Sequence, residues 1–187
     1  MLLNVIAFQS GWFACVLGGA YGWPWLGVLA TAAIVALHLG RAARPAVEAV
    51  PIVLSGVLGF VADSLLTGLG LLTFPSGQIH SHLAPYWIVA MWMLFATTLN
   101  VSLRWLKPRL GLASLLGAVA GPLAYQGGAK LGGVSFANPL ASLVAVAGVW
   151  TLAMPLLLVI ANRWNGMVET DRATAAPGRS ARADKPA

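Results

Sequence analysis

Six long runs of apolar residues, separated by short stretches rich in glycine, proline and basic residues, dominate the chain. A hydrocarbon core about 30 Å thick needs roughly 20 helical residues to cross it. Each run meets or nearly meets this length, so the pattern predicts an all-α fold, a bundle of six transmembrane helices within residues 1–164. The predicted segments span about 2–20, 23–40, 47–71, 84–104, 110–128 and 139–162.

Residues that start or stop helices separate the segments. Pro24 and Pro45 stand at the starts of the second and third segments, and Pro108 interrupts the chain before the fifth. Asn138 followed by Pro139 predicts an N-cap and a first helical position for the sixth segment. After Trp164 the chain turns polar and loses its apolar periodicity, which predicts a disordered cytoplasmic tail over residues 165–187.

Composition and charge place the chain in a bilayer. Hydrophobic residues make up 59% of the sequence and charged residues 9%, against about 25% charged in soluble domains. With six spans, ten of the eleven basic residues fall on one side and only Lys130 on the other. The positive-inside rule makes that side cytoplasmic, so we predict a multi-pass protein of the bacterial inner (plasma) membrane with both termini inside. The basic residues form no soluble patch, which argues against a nucleic-acid partner.

Asp63 is the only acidic residue in the interior of an apolar run. A carboxylate at the centre of a membrane helix costs roughly 2.5–3.5 kcal/mol, so it must face protein or water. We place it about 12 Å from the outer end of its helix, near Tyr125 and Gln126 of segment five. It is therefore the candidate catalytic residue, as a proton carrier, general base or cation site, while a structural acceptor of hydrogen bonds is the alternative.

A second polar group is expected at the inner helix ends. It comprises His38, Glu48, Asn100 and Arg104, the last two on one face of segment four at spacing i, i+4. Glu48 is expected to pair with Arg104 or Arg41. The group predicts either an ion pair that anchors helix ends or a site for an anionic lipid headgroup, with Arg104 as the charge partner and Asn100 as the orienting group.

The remaining motifs narrow the function. His80 and His82 have no acidic residue or cysteine nearby in the sequence that could complete a metal site. We therefore predict a solvent-exposed loop there and no metal site. The chain has no phosphate-binding loop, zinc-protease motif or nucleophile elbow, and no cofactor is predicted. Small residues four apart predict close helix packing, within the bundle or against a second copy or a membrane-protein partner. These pairs are Gly18 with Gly22, Gly117 with Gly121, and Gly128 with Gly132.

Several of these stretches together resemble a bacterial family of small inner-membrane proteins of unknown function. They are residues 8–18, 23–25, 95–106 and 117–125, together with the segment around Asp63. Because such proteins are often encoded near fatty-acyl-modifying enzymes, the resemblance implies a lipid context and nothing firmer. It assigns no catalytic residue.

Three functions remain open at the level of sequence. The first is a role in membrane-lipid or fatty-acyl metabolism, as an enzyme or as an accessory that presents lipid to one. The second is a small proton-coupled transporter that uses Asp63. The third is a non-catalytic assembly partner held by small-residue helix faces. Whether the protein is an enzyme stays undecided.

Overall fold

The computed structural model describes residues 1–167 and confirms an all-α architecture of six helices. Four of them are long and apolar enough to cross a membrane; α2 and α4 are apolar but shorter. The helices are α1 (Leu2–Ala20), α2 (Pro24–Leu39), α3 (Pro45–Gly68), α4 (Tyr86–Leu99), α5 (Leu110–Lys130) and α6 (Pro139–Arg163).

Proline sets three of the helix starts. Pro24, Pro45 and Pro139 each occupy the first helical position of their helix, where a missing N–H removes no intrahelical hydrogen bond. The side chain of Asn138 accepts a hydrogen bond from the Ala141 amide at 3.2 Å, which confirms it as the N-cap of α6.

Helix α4 is shorter than the sequence pattern predicts. It ends at Leu99, and Arg104 belongs to a separate 3₁₀ turn, Arg104–Leu106. The hydroxyls of Thr97 and Thr98 donate to carbonyls three residues earlier, and such bonds compete with the helical ladder. Asn100 then turns its amide towards other helices. The expectation that Asn100 and Arg104 share a helix face is therefore wrong.

The helices run alternately up and down, which creates two ends. We call the end that carries the loops after α3 and α5 the hairpin end, because a two-stranded antiparallel sheet joins these loops there. Its strands are β1 (Leu72–Thr73) and β2 (Ser135–Phe136). The other end carries the α2–α3 and α4–α5 connections and the end of α6; we call it the basic end. Most large apolar side chains on the outer helix faces are exposed, as expected of a surface that meets lipid.

The small-residue pairs serve different purposes. A Cβ on Gly18 would clash with the Trp23 carbonyl, so this glycine lets α1 and the start of α2 approach. Gly117 and Gly121 admit α6 in the same way. Gly22 and Gly132 instead adopt positive φ in turns, a conformation that glycine tolerates without strain.

Candidate functional site

Asp63 lies at the meeting point of three helices and is fully buried. Its Oδ2 accepts a hydrogen bond from Nε1 of Trp92 in α4 at 2.7 Å. Its Oδ1 accepts one from the Tyr125 hydroxyl in α5 at 2.5 Å. Both carboxylate oxygens are thus satisfied by neutral donors, and among residues 1–167 no ion pair involves Asp63.

Asp63 is also nearer to the hairpin end than its sequence position implied. Helix α3 ends at Gly68, five residues later, which is about 7.5 Å along the axis. The chain turns there because Gly70 adopts a φ of +71°. The carboxylate therefore lies closer to the end of its helix than the expected 12 Å.

A glycine in α3 makes room for the side chain of Trp92. A Cβ on Gly59, one turn before Asp63, would overlap the Trp92 indole. The missing side chain lets the indole lie directly against α3, with its N–H on the carboxylate. On its other face Trp92 stacks on Trp150 of α6, with ring centroids 4.5 Å apart and planes 13° from parallel.

Glycines also make room for Trp150, and its indole N–H has no hydrogen-bond partner within residues 1–167. Gly121 of α5 leaves room for the indole and Gly117 for the backbone carbonyl of Trp150, since a Cβ at either position would clash with these atoms. The Nε1 atom of Trp150 is buried. An unpaired donor in an apolar setting is costly.

Beside this cluster is a cavity of about 210 Å³, between α1, α4, α5 and α6. Aromatic side chains form much of its wall, among them Phe8, Trp12, Phe95 and Trp150. No residue that lines it is charged, and its only hydroxyl belongs to Tyr125. Asp63 does not line the cavity, but both residues that donate hydrogen bonds to it, Tyr125 and Trp92, do.

Helix α5 supplies the small-residue wall of the cavity. Its lining positions recur at spacings of three and four, so they form one helix face. They are Gly117, Ala120, Gly121, Ala124, Tyr125 and Gly128. Tyr125 is the one large residue on this face. The sequence pattern predicted close helix packing along this face of α5. In the structure, part of the face instead borders the cavity.

The other residues expected near Asp63 lie elsewhere. Gln126 and Lys130 are exposed and do not reach the carboxylate. His80 and His82 are exposed in the loop before α4, with ring centroids 5.4 Å apart. Within residues 1–167 no three side chains of His, Cys, Asp or Glu are grouped so as to hold a metal ion.

A second buried cluster is centred on Glu48, at the basic end. Nε2 of His38 lies 2.9 Å from Oε1 of Glu48. Oε2 accepts hydrogen bonds from Nδ2 of Asn100 at 2.7 Å and from the Gly166 amide at 2.9 Å. Three helix ends and the segment after α6 therefore converge on one carboxylate.

The cation of this cluster is Lys107. Its Nζ donates to Oδ1 of Asn100 at 2.5 Å and to the Ala161 carbonyl at 3.3 Å. Partial burial lowers the pKa of the Lys107 ammonium, and the charge of Glu48 opposes this shift. Arg104, the partner expected from the sequence, is exposed and takes no part, because the turn after Leu99 carries it away.

Sequence reasoning brought His38, Glu48 and Asn100 together but missed Lys107 and Gly166. Lys107 was assigned to a loop, and only the irregular turn after α4 brings it back to Asn100. Gly166 falls within the stretch predicted as a tail, yet residues 165–167 pack on the start of α3. Arg44 donates to the carbonyls of Asn165 and Gly166, each at 2.9 Å. The rest of the predicted tail lies outside the described residues.

Comparison with known proteins identifies the family but no characterised relative. A family model described as a protein of unknown function, DUF2878, matches residues 1–156. No curated protein and no solved structure matches the chain. The match covers five helices and most of the sixth, including Asp63, Trp92, Tyr125 and Glu48. The chain therefore belongs to DUF2878, a family of proteins of unknown function.

Proposed function

We propose that this protein acts in membrane-lipid or fatty-acyl metabolism by holding one hydrocarbon chain in the cavity between α1 and α5. The observation that carries the proposal is the cavity itself, which has apolar walls and a single hydroxyl. An apolar pocket with a few polar groups is the usual form of a small-molecule site.

The size of the cavity favours one chain over a whole lipid. Pockets for drug-sized molecules run from about 300 to 1,000 Å³, whereas this cavity holds about 210 Å³. Its lining extends from Gly117 to Gly128 along α5, about 16 Å at the helical rise. A narrow, elongated, apolar space of this kind suits a single acyl or similar chain.

Access from the bilayer supports the same proposal. Ala120 and Ala124 line the cavity and are also exposed on the helix surface. Helices α1 and α5 do not form a packed pair, whereas α5 packs along α6 and α1 packs on α2 and α4. A chain could therefore enter sideways from lipid. Tyr125 at the wall, hydrogen-bonded to Asp63, would serve either an enzyme or an accessory that presents the chain to one.

Filling the cavity tests this proposal. We expect Ala124→Phe to reduce crosslinking of a photoactivatable hexadecane at least fivefold in lipid vesicles, because the ring would occupy the groove. Ala32→Phe on the outer face of α2, away from the cavity, is the matched control and should change crosslinking little. Crosslinking would be quantified by mass spectrometry of the labelled peptides. Equal labelling of both variants and the wild type would overturn the proposal.

A cellular test complements this one. A strain that lacks the gene should show an altered profile of acyl chains, restored by the wild type and not by Ala124→Phe. An unchanged lipid profile under several growth conditions would count against a metabolic role.

Proton-coupled transport is the second candidate, favoured by the buried carboxylate of Asp63 with its neutral partners. A proton flux in proteoliposomes that depends on a solute and disappears in Asp63→Asn would favour it over lipid handling. The third candidate, an assembly partner, has less support, because Gly18, Gly117 and Gly121 pack inside the bundle.

We further propose an inner-membrane location with the basic end in the cytoplasm, on the basis of the positive charges there. In a Cys15→Ala background, which removes the only cysteine, Ser81→Cys should react with a membrane-impermeant maleimide in intact cells. Arg104→Cys should react only after the cells are opened. The reverse pattern would invert the orientation.

A further inference from the structure

Buried residues close the cavity between α1 and α5 towards the hairpin end. The rings of Phe74 and Trp87 meet edge to face there, with centroids 5.7 Å apart. A Cβ on Gly133 would lie 3.0 Å from Cγ1 of Val16, so the loop after α5 packs closely on α1. The lining residues at this end include Val16, Phe74, Trp87, Gly128, Gly133 and Val134, all of them buried.

Contacts between α1 and α4 close the cavity towards the basic end. The rings of Phe8 and Phe95, which both line it, meet edge to face with centroids 6.0 Å apart. One turn further along α1 towards the basic end, Nδ2 of Asn4 donates to the carbonyl of Thr97 at 3.1 Å. The two helices are thus joined beyond the cavity, and a chain cannot enter between them from this end.

The exposed part of the lining lies between these two closed ends. Ala120 and Ala124 of α5 line the cavity and are exposed. Ala120 is the midpoint of α5, ten residues from Leu110 and ten from Lys130, or about 15 Å from either end of the helix. A hydrocarbon core about 30 Å thick has its midplane at this depth. The opening at Ala120 and Ala124, which we call the window, therefore faces the middle of the bilayer.

We propose that the window admits the methyl end of a membrane-lipid chain, while the headgroup of that lipid stays at the membrane surface. The inference rests on the proposed function, since it requires that the cavity hold a chain. A headgroup lies about 15 Å from the midplane, half the thickness of the hydrocarbon core. Only the far end of its chain reaches the window.

The chemistry of the lining agrees with entry by the chain end. Within residues 1–167 no charged side chain lines the cavity, and its only hydroxyl belongs to Tyr125. A phosphate, carboxylate or ammonium group drawn inside would lose its water without gaining a counter-charge, which is strongly unfavourable. The site therefore distinguishes lipids by the end of the chain and not by the headgroup.

The experiment uses two photoactivatable phosphatidylcholines whose chains are equally long. One carries its diazirine at the methyl end of a chain and the other carries it beside the ester. Crosslinks to Phe74 and Val134 are quantified by mass spectrometry, because these residues are buried and line the cavity. With the wild type in vesicles, we expect the methyl-end probe to label them about tenfold more than the ester probe, which would have to bring its headgroup inside.

Two variants and a second headgroup complete the test. Ala124→Phe, which blocks the window, should lower labelling by the methyl-end probe to that of the ester probe, whereas Ala32→Phe should leave it unchanged. A phosphatidylglycerol with the same methyl-end probe should label as strongly as the phosphatidylcholine.

The failure of this inference can be told apart from the failure of the proposed function. If the photoactivatable hexadecane labels the wild type no better than it labels Ala124→Phe, the proposed function itself fails. If hexadecane labels the cavity but the methyl-end probe does not, only the window assignment is overturned. Equal labelling by the ester probe, or a preference for one headgroup, would overturn it as well.

Discussion

Replacing Glu48 with alanine is expected to lower the free energy of unfolding by about 3 kcal/mol, the scale of breaking a buried charged network. The substitution removes the acceptor that Asn100 and the Gly166 amide share. It also removes the partner of His38 and leaves Lys107 without a compensating charge. Unfolding in mixed micelles with increasing denaturing detergent would measure the loss.

The matched control for this prediction is Arg104→Ala. Arg104 was the expected partner of Glu48, yet it is exposed and outside the cluster. Its replacement should therefore change the free energy of unfolding by no more than about 0.5 kcal/mol, as is usual at surface positions. If Arg104→Ala proved as destabilising as Glu48→Ala, the cluster described around Lys107 would be incorrect.

Replacing Gly59 with alanine is expected to lower the free energy of unfolding by about 2–3 kcal/mol, within the range for overpacked sites. The new methyl group would occupy the space of the Trp92 indole. Trp92 would move, so its hydrogen bond to Asp63 and its stacking on Trp150 would be weakened together. The same micelle titration would report the destabilisation, and tryptophan fluorescence would report the displaced indole.

Gly148→Ala is the control here, because it makes the same change in a helix where, apart from the neighbouring backbone of that helix, no atom lies within 4 Å of the added carbon. Alanine in an open helical position is favoured over glycine by roughly 0.5–1 kcal/mol. Gly148→Ala should thus be neutral or slightly stabilising. A harmless Gly59→Ala substitution would mean that Trp92 has room to rearrange, and the Asp63 site would then be less tightly defined than described.

Much of the fold could be predicted because its signals are local. Proline at a helix start and asparagine before it act within one turn, and α6 begins where these residues place it. Asp63 could be singled out because a carboxylate in an apolar run needs partners. Tyr125 and Gln126 were both expected as partners. Tyr125 donates to Asp63, whereas Gln126 faces outward, because adjacent residues of a helix point in different directions.

The remainder depended on where helices end and how they face each other. Nothing in the apolar pattern marks Leu99 as the end of α4, because residues 101, 103 and 106 continue the run. To predict that Trp92 bonds to Asp63, one must know how α3 and α4 are aligned along their lengths. Gly59 contributes to this alignment, because it leaves space for the Trp92 indole against α3. The cavity follows from the spacing between α1 and α5, and no single-helix pattern encodes that distance.

The hydrogen bond from the Gly166 amide to Glu48 changes where a shortened version of this protein should end. The family match stops at residue 156, and the apolar pattern stops a few residues later. A fragment designed on either boundary would discard the amide that completes the Glu48 cluster and the two carbonyls that receive Arg44. The smallest self-sufficient piece for reconstitution therefore reaches at least Met167.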